Sequence, residues 1–497
     1  VKQPLPITLP PGVVANSTDE QASGRWRSAN QVRWVDGALQ PIGGWGRAFE
    51  QVLDGVPRAL HAWTANDLQR RVAIGTNTKL YAWSGSSVAD ITPAGLTAGR
   101  AYSAPGLGYG AGPYGRGKYG RKRIGSGITL AARVWSLDNW GQDLIACPND
   151  NGAIYRWDLF AAQAAALLGA PTARGVAVTD ERHLVAFAAG GDPRKIQWCK
   201  REDLAVWAPS TDPLNNSGDL RMNTNGVYRA HAKIRGGTLI LTDTDAHLLS
   251  FVGRPFTYGV QRLAGNCGCV GPGGVAVAGG AAYWLASNGF WVFDGAVRRL
   301  PCTIEALVPD DTRRLNDGEV SSGVNFARGE VWWFYTDRAG ARRYATYSFR
   351  EGWWATGLLD RTAMTEVPGD DRPIAASPAG RLYQHEFGWL DDGAPRAAGI
   401  FATTAPLKIG TGDREVVVTM IESDTVVRPE GFNIEVAVRD KPNSVPTARG
   451  PYSFTRPDGA ADCRFTGRRA SFTVRGADDV GWKLGSLVLH AGQGARR

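Results

Sequence analysis

The residues of this 497-residue chain with the clearest binding chemistry lie in one tract, 99–125, GRAYSAPGLGYGAGPYGRGKYGRKRIG. It carries Arg100, Arg116, Lys118, Arg121, Lys122 and Arg123, four tyrosines, nine glycines and no acid. Guanidinium and ammonium groups on so flexible a backbone neutralise phosphates without reading base sequence, and the rings of Tyr109, Tyr114 and Tyr119 offer faces for stacking. The competing reading is a solvated loop whose tyrosines pack on a neighbouring subunit. The formal net charge is +9, and with six of those charges in the tract the other 470 residues carry +3. Basicity is therefore a local feature. Arginine outnumbers lysine 46 to 10, which suits bidentate contact with phosphate or carboxylate.

Catalytic and metal-binding patterns are weak by comparison. The acid pairs Asp310-Asp311, Asp391-Asp392 and Asp478-Asp479 sit in turn-like settings that favour solvated loops over acid/base dyads. Ser136-Leu137-Asp138-Asn139-Trp140-Gly141 superficially resembles a sialidase Asp-box turn, but its glycine is misplaced and the motif is not repeated. No P-loop, GxSxG or HExxH occurs. Among six cysteines only Cys267-Gly268-Cys269 forms a close pair, and the six histidines are scattered, so neither metal nor cofactor is expected. Reduced thiols are the expectation for a protein assembled in the cytosol. Trp332, Trp333, Trp353 and Trp354 could form a sugar-stacking platform, but adjacent strand residues point to opposite faces, which sends at least half of them to the core. The chain is not expected to be an enzyme.

No apolar run approaches the ~18 residues of a membrane span. The longest candidate, 159–170, is Ala-rich, broken by Gln163, and reads as a short buried helix or loop. No secretory signal pattern opens the chain, and its start at Val1 fits both a cytoplasmically made protein that has lost its initiator Met and a chain from which a preceding segment has been removed.

The elements that must position the basic tract are short strands. Ala281–Ala286, a turn at Ser287-Asn288-Gly289, the aromatic return 290–293, a turn at Asp294-Gly295 and a third strand over 297–300 make an antiparallel meander that needs neighbours to bury its face. The pattern recurs. The comparable return-strand residues Tyr81, Tyr155, Trp198, Leu249, Trp291, Tyr347 and Tyr383 are spaced 74, 43, 51, 42, 56 and 36 apart, and removing the 27-residue tract brings the first gap to 47. Short-strand repeats of about 40–50 residues predict a β-propeller of six or seven blades over 56–393, with 99–125 inserted. Stacked sandwiches are the all-β alternative.

Residues 1–55 read as a proline-stiffened arm and a hairpin turning at Asp36-Gly37, closing either its own propeller or a neighbour's. A helical connector is expected from Thr303, as N-cap, toward Pro309. Over 394–497 longer alternating strands, separated by turns at 428–431 and 441–457, predict a β-sandwich or jelly-roll.

The order of features resembles the tail hub or nozzle proteins of short-tailed bacteriophages, the packaged-DNA stabilisation family. The resemblance rests on Gly24-Arg25-Trp26 to Val35-Asp36-Gly37, Gly43-Gly44-Trp45, the hairpin 283–295, the connector 304–307, the pair 330–335 with 344–349, and Trp353 to Gly357. It covers most of 24–360, through short structural motifs. It implies a structural virion protein without catalysis, made in the host cytoplasm and located in the tail. The implied homo-oligomer is a ring, commonly hexameric, that extends the DNA channel below portal and adaptor proteins. The same resemblance implies docking of needle, fibre or tailspike proteins, and it supports non-specific duplex DNA contact. The basic tract lies outside the family's core pattern. The alternative is a carbohydrate-binding or glycan-processing propeller.

Overall fold

The computed structural model describes residues 3–496 apart from 110, 113–117, 119, 211, 213–214, 309–317, 397–398, 411–413, 427–431, 455, 457 and 477–478. Seven four-stranded antiparallel sheets form a β-propeller. The first strands of blades 1 to 7 are Pro57–Thr64, Trp135–Trp140, Gly175–Val178, Tyr228–Ile234, Val275–Ala278, Ser321–Asn325 and Ala363–Thr365. They touch one another in a closed circuit from blade 1 to 7 and back to 1, so they line the central channel. The aromatic or leucine residue singled out in each repeat, from Tyr81 to Tyr383, falls in the third strand of its blade. Seven recurrences thus correspond to seven blades.

The last blade is completed by the N-terminal part of the chain. Leu382–His385 pairs with Trp45–Arg47, in the register Tyr383↔Arg47, Gln384↔Gly46 and His385↔Trp45. Joining the first and last segments in one sheet closes the ring with hydrogen bonds, so no blade edge is left at the seam. The rest of the arm also packs on its own chain. Gln3–Ile7 pairs with Lys483–Arg496, and Trp26–Asn30 pairs with Ile400–Thr404. The hairpin Val32–Val35/Ala38–Pro41 turns through Asp36 and Gly37 at φ 52° and 80°, the left-handed pair of a tight two-residue turn. These strands join the C-terminal ones in two six-stranded sheets, a β-sandwich built from both ends of the sequence.

Three local expectations need correction. The helix expected from Thr303 is a single 3-10 turn, Glu305–Leu307, with no side-chain cap, because the Thr303 hydroxyl donates instead to the Val13 carbonyl at 2.5 Å. The turn expected over 441–457 contains an exposed edge strand, Thr447–Ser453, in which Arg449 and Pro451 guard the open edge. The run 159–170 is loop and not buried helix: Ala164 is buried, but Phe160 and Leu168 are 88% and 87% exposed around the two-residue outer strand Ala165–Ala166 of blade 2. Alanine-rich composition resembles a buried helix, but this run has too few large side chains to fill a core.

Propeller and sandwich share one apolar core. Trp26 and Trp34 of the sandwich lie 6.2 Å apart, Trp34 stands edge-on to Trp353 at 5.5 Å, and Phe290 of blade 5 meets Trp333 and Trp354 of blade 6 at 4.7 and 4.5 Å. Trp332, Trp333, Trp353 and Trp354 are all buried, so none provides a stacking platform. Arg33 of the sandwich crosses to the propeller, reaching Glu330 at 2.8 Å and Glu386 at 2.6 Å, with Arg33 and Glu330 almost fully buried.

Candidate channel-mouth interface

The basic tract leaves the propeller between the outer strand of blade 1 and the first strand of blade 2, on the face where each first strand begins. Its root is fixed in place. Gly99 N–H donates to the Asn77 carbonyl at 2.7 Å, Arg133 N–H donates to the Arg100 carbonyl at 2.9 Å, and the Arg58 Nε donates to the Ala101 carbonyl at 2.9 Å. Ser103 then crosses the mouth to blade 6, where its N–H and hydroxyl donate to Glu319 Oε1 at 2.8 and 2.7 Å. The Thr336 hydroxyl donates to the other Glu319 oxygen at 3.3 Å. At Gly318, in the left-handed region at φ 78°, a built Cβ would stand 2.7 Å from the Ala132 carbonyl oxygen, so the two sides approach closely. Burial together with nearby Arg342 pulls the Arg58 guanidinium down to about 10, against the opposing influence of Glu319 and the Tyr102 ring. That ring lies under the guanidinium at 5.3 Å.

Beyond the root the tract forms a two-stranded ribbon. Ala104–Gly108 pairs with Arg123–Leu130 through Ala104↔Leu130, Pro105↔Thr129, Leu107↔Ile124 and Gly108↔Arg123, with a bulge after Pro105. The ribbon pairs with no blade and carries Tyr109 at 70% exposure. Lys122 Nζ lies 5.5 Å over the Tyr109 ring, and Arg123 Nη2 donates to the Lys118 carbonyl at 3.2 Å. Lys118, Tyr109, Lys122 and Arg123 are thus gathered at the ribbon's far end, with exposed Arg121 beside them. Arg100 is separate, exposed at the root. Arg116, Tyr114 and Tyr119 lie outside the described residues.

Reading the tract as an insertion found the ribbon but missed its anchors. Arg58, Ser103, Arg133 and Glu319 are distant in sequence, and only an isolated buried acid could have hinted at them. Two excisions therefore have different expected outcomes. Removing only the far end, 108–122, should leave the melting temperature unchanged. Removing all of 99–125 strips Ser103 from buried Glu319, and Ser103→Ala alone should cost about 1–3 kcal/mol in urea unfolding.

The other sites considered in the sequence are structural. Asp391 accepts the Trp45 indole N–H, and Asp392 pairs with Arg47 at 2.5 Å, so both tie down the closing strand. Asp138 accepts Val178 N–H at 2.7 Å and pairs with Lys233 Nζ at 2.8 Å, linking blades 2, 3 and 4. Asp310 and Asp311 lie outside the described residues, as does Asp478 of the third pair. All six cysteines are free thiols, and Cys267 and Cys269 are buried. Among the described residues no group of three or more His, Cys, Asp or Glu is placed to hold a metal. No helix there is long and apolar enough to cross a membrane.

No family model matches the chain, and no curated protein sequence matches it. Solved structures that resemble it include the computationally designed Ika8 protein, 11% identical, covering 76% of this chain and 99% of that one at a TM-score of 0.39. Raptor of Chaetomium thermophilum is 10% identical over 69% of this chain and 30% of that one, at 0.41. BamB of Moraxella catarrhalis is 11% identical over 72% of this chain and 94% of that one, at 0.36. The chain is an all-β propeller with a sandwich. That assignment stands on its own seven sheets and ring closure.

Proposed function

We propose that this chain is a structural subunit of a short-tailed bacteriophage tail, a hub or nozzle protein without catalytic activity. It assembles into a homo-oligomeric ring, most simply a hexamer, beneath portal and adaptor, continues the DNA channel, and docks needle, fibre or tailspike proteins. The observation that carries the reading is the acid-free basic ribbon, rooted by buried hydrogen bonds across one mouth of the propeller, with Lys118, Arg121 and Lys122 exposed at its far end. Such a feature meets a polyanion without selecting a sequence.

Uncovered apolar surface supports an assembled state. Phe251, Val252 and Phe256, at the tip of the long outer hairpin of blade 4, are 49%, 55% and 74% exposed, and Phe160 and Leu168 of blade 2 are more so. Patches of this kind are costly on a free monomer and ordinary at subunit contacts. The glycan-binding alternative would need a surface other than Trp332, Trp333, Trp353 and Trp354, which are core.

Duplex binding tests the reading. Anisotropy of a labelled duplex, titrated at several salt concentrations, should give an affinity independent of sequence that falls steeply with salt. Removing 108–122 should flatten the slope of log K against log salt by about 0.9 for each phosphate-bound cation lost. An affinity and slope unchanged by the deletion would take the ribbon out of the reading.

A further inference from the structure

The insertion root fills only part of the channel mouth. On the blade 1 and blade 6 side, Ala101 to Ser103, Arg58 and Glu319 close it with the hydrogen bonds described above. On the side of blades 3, 4 and 5 a cavity of about 260 Å³ is left between the returning arm of the insertion, Thr129 to Ala131, and the points where those blades begin. Arg100 of the insertion, Arg174 at the start of blade 3 and Arg229 at the start of blade 4 all line it, with Asn149, Tyr228 and Pro272. Among the described residues its one lining carboxylate, Asp150, is already engaged: the Arg133 Nε, on a side chain only 2% exposed, lies 2.8 and 2.9 Å from its two oxygens. The Tyr228 hydroxyl is likewise engaged, with His231 Nδ1 at 2.7 Å.

We infer that this cavity is a phosphate-binding site. Arg100, Arg174 and Arg229 come to its lining from three separate elements, and the one carboxylate among the described lining residues is held by a fourth arginine. Guanidinium is the side chain whose planar fork of N–H donors matches phosphate oxygens. The Asn149 amide is already engaged, its Nδ2 donating to the Ala132 carbonyl at 3.1 Å and its Oδ1 accepting the Val134 N–H at 3.0 Å. The volume falls below the ~300–1,000 Å³ usual for drug-sized ligands, which suits a phosphate group and leaves little room for a base. The phosphate is either the free inorganic anion or a backbone phosphate of DNA reaching the mouth. The inference deepens the proposed reading by naming the ligand chemistry beside the ribbon, and it rests on that reading only for the source of the phosphate.

Calorimetric titration of the full chain with inorganic phosphate tests it, with acetate at matched ionic strength as comparison. One phosphate per chain is expected, with acetate much weaker. Arg174→Ala and Arg100→Ala should each weaken phosphate binding about tenfold or more, while Arg221→Ala, on the exposed outer strand of blade 3, should leave it unchanged. Absence of saturable phosphate binding, or binding by both variants as tight as that of the unmodified chain, would overturn the inference. Displacement of a short duplex by phosphate would support it and assign the site to backbone phosphate. Saturable phosphate binding without displacement would support it as a free-anion site and remove DNA contact at this position, leaving the ring to be judged separately.

Discussion

Arg33→Ala is expected to lower the unfolding free energy by about 3–5 kcal/mol, because it leaves Glu330 at a buried junction without its cation and Glu386 with only the Arg328 guanidinium at 3.7 Å. Arg33 lies in the sandwich, Glu330 in blade 6 and Glu386 just after the third strand of blade 7, and the three meet at 2.6–2.8 Å. Their environments differ. Burial pushes the Glu330 carboxyl up, with Arg33 pulling against it. Arg33 and its hydrogen bonds to Glu386 hold that carboxyl below its usual range despite burial. The Arg33 guanidinium is held above its ordinary value by both carboxylates, against its own desolvation. The urea midpoint of Arg33→Ala at pH 7 checks the prediction. Adding Glu330→Gln should recover part of the loss, since it removes the more deeply buried of the stranded charges. A wild-type midpoint would show that the core tryptophans alone hold the two domains together.

Acidification from pH 7 to pH 4 should destabilise the propeller by about 3 kcal/mol through His231 alone. Its ring is half-buried on the first strand of blade 4, stacked on Phe187 at 4.6 Å, with the Tyr228 hydroxyl 2.7 Å from Nδ1. Burial, with a smaller contribution from Lys233, brings the imidazole down to about 4, against the influence of Asp138 and a backbone hydrogen bond with Val176. In the unfolded chain the ring titrates near its ordinary 6.5. Between the two values the unfolded state binds more protons than the folded one, so stability is full above pH 6.5 and is lost as pH falls toward 4. His61 shifts in the same direction, by burial first, and adds to the loss. Urea midpoints across this window should be steeper in wild type than in His231→Gln. Equal slopes would exclude His231 as a source of the acid sensitivity.

Much of the architecture was legible because propeller blades repeat a local pattern. Each third strand carries an aromatic or leucine between turn residues, and these recurrences do not depend on contacts distant in sequence. The closing strand was less legible. Trp45–Arg47 resembles any short strand, and its pairing with Leu382–His385 spans more than three hundred residues. The sandwich hides its N-terminal strands for the same reason. The edge strand Thr447–Ser453 was missed because glycine, proline and arginine, which guard an open edge, are also the residues of turns.

The candidate site divides similarly. Composition alone marked the basic ribbon, since an acid-free run of arginine, lysine, tyrosine and glycine stands out locally. Its anchors did not stand out. Ser103, Glu319 and Arg58 are ordinary residues until the ring brings blades 1 and 6 together beneath the insertion. Arg174 and Arg229 join Arg100 only because the beginnings of neighbouring blades converge on one axis.

Native mass spectrometry of the full chain, alone and after mixing with a portal–adaptor complex from its source, tests the central claim most directly. The ring reading predicts one sharp ring-sized species, free or formed on the adaptor, with the apolar tips of blades 2 and 4 protected on assembly. A chain that stays monomeric at high concentration and ignores the adaptor would contradict it.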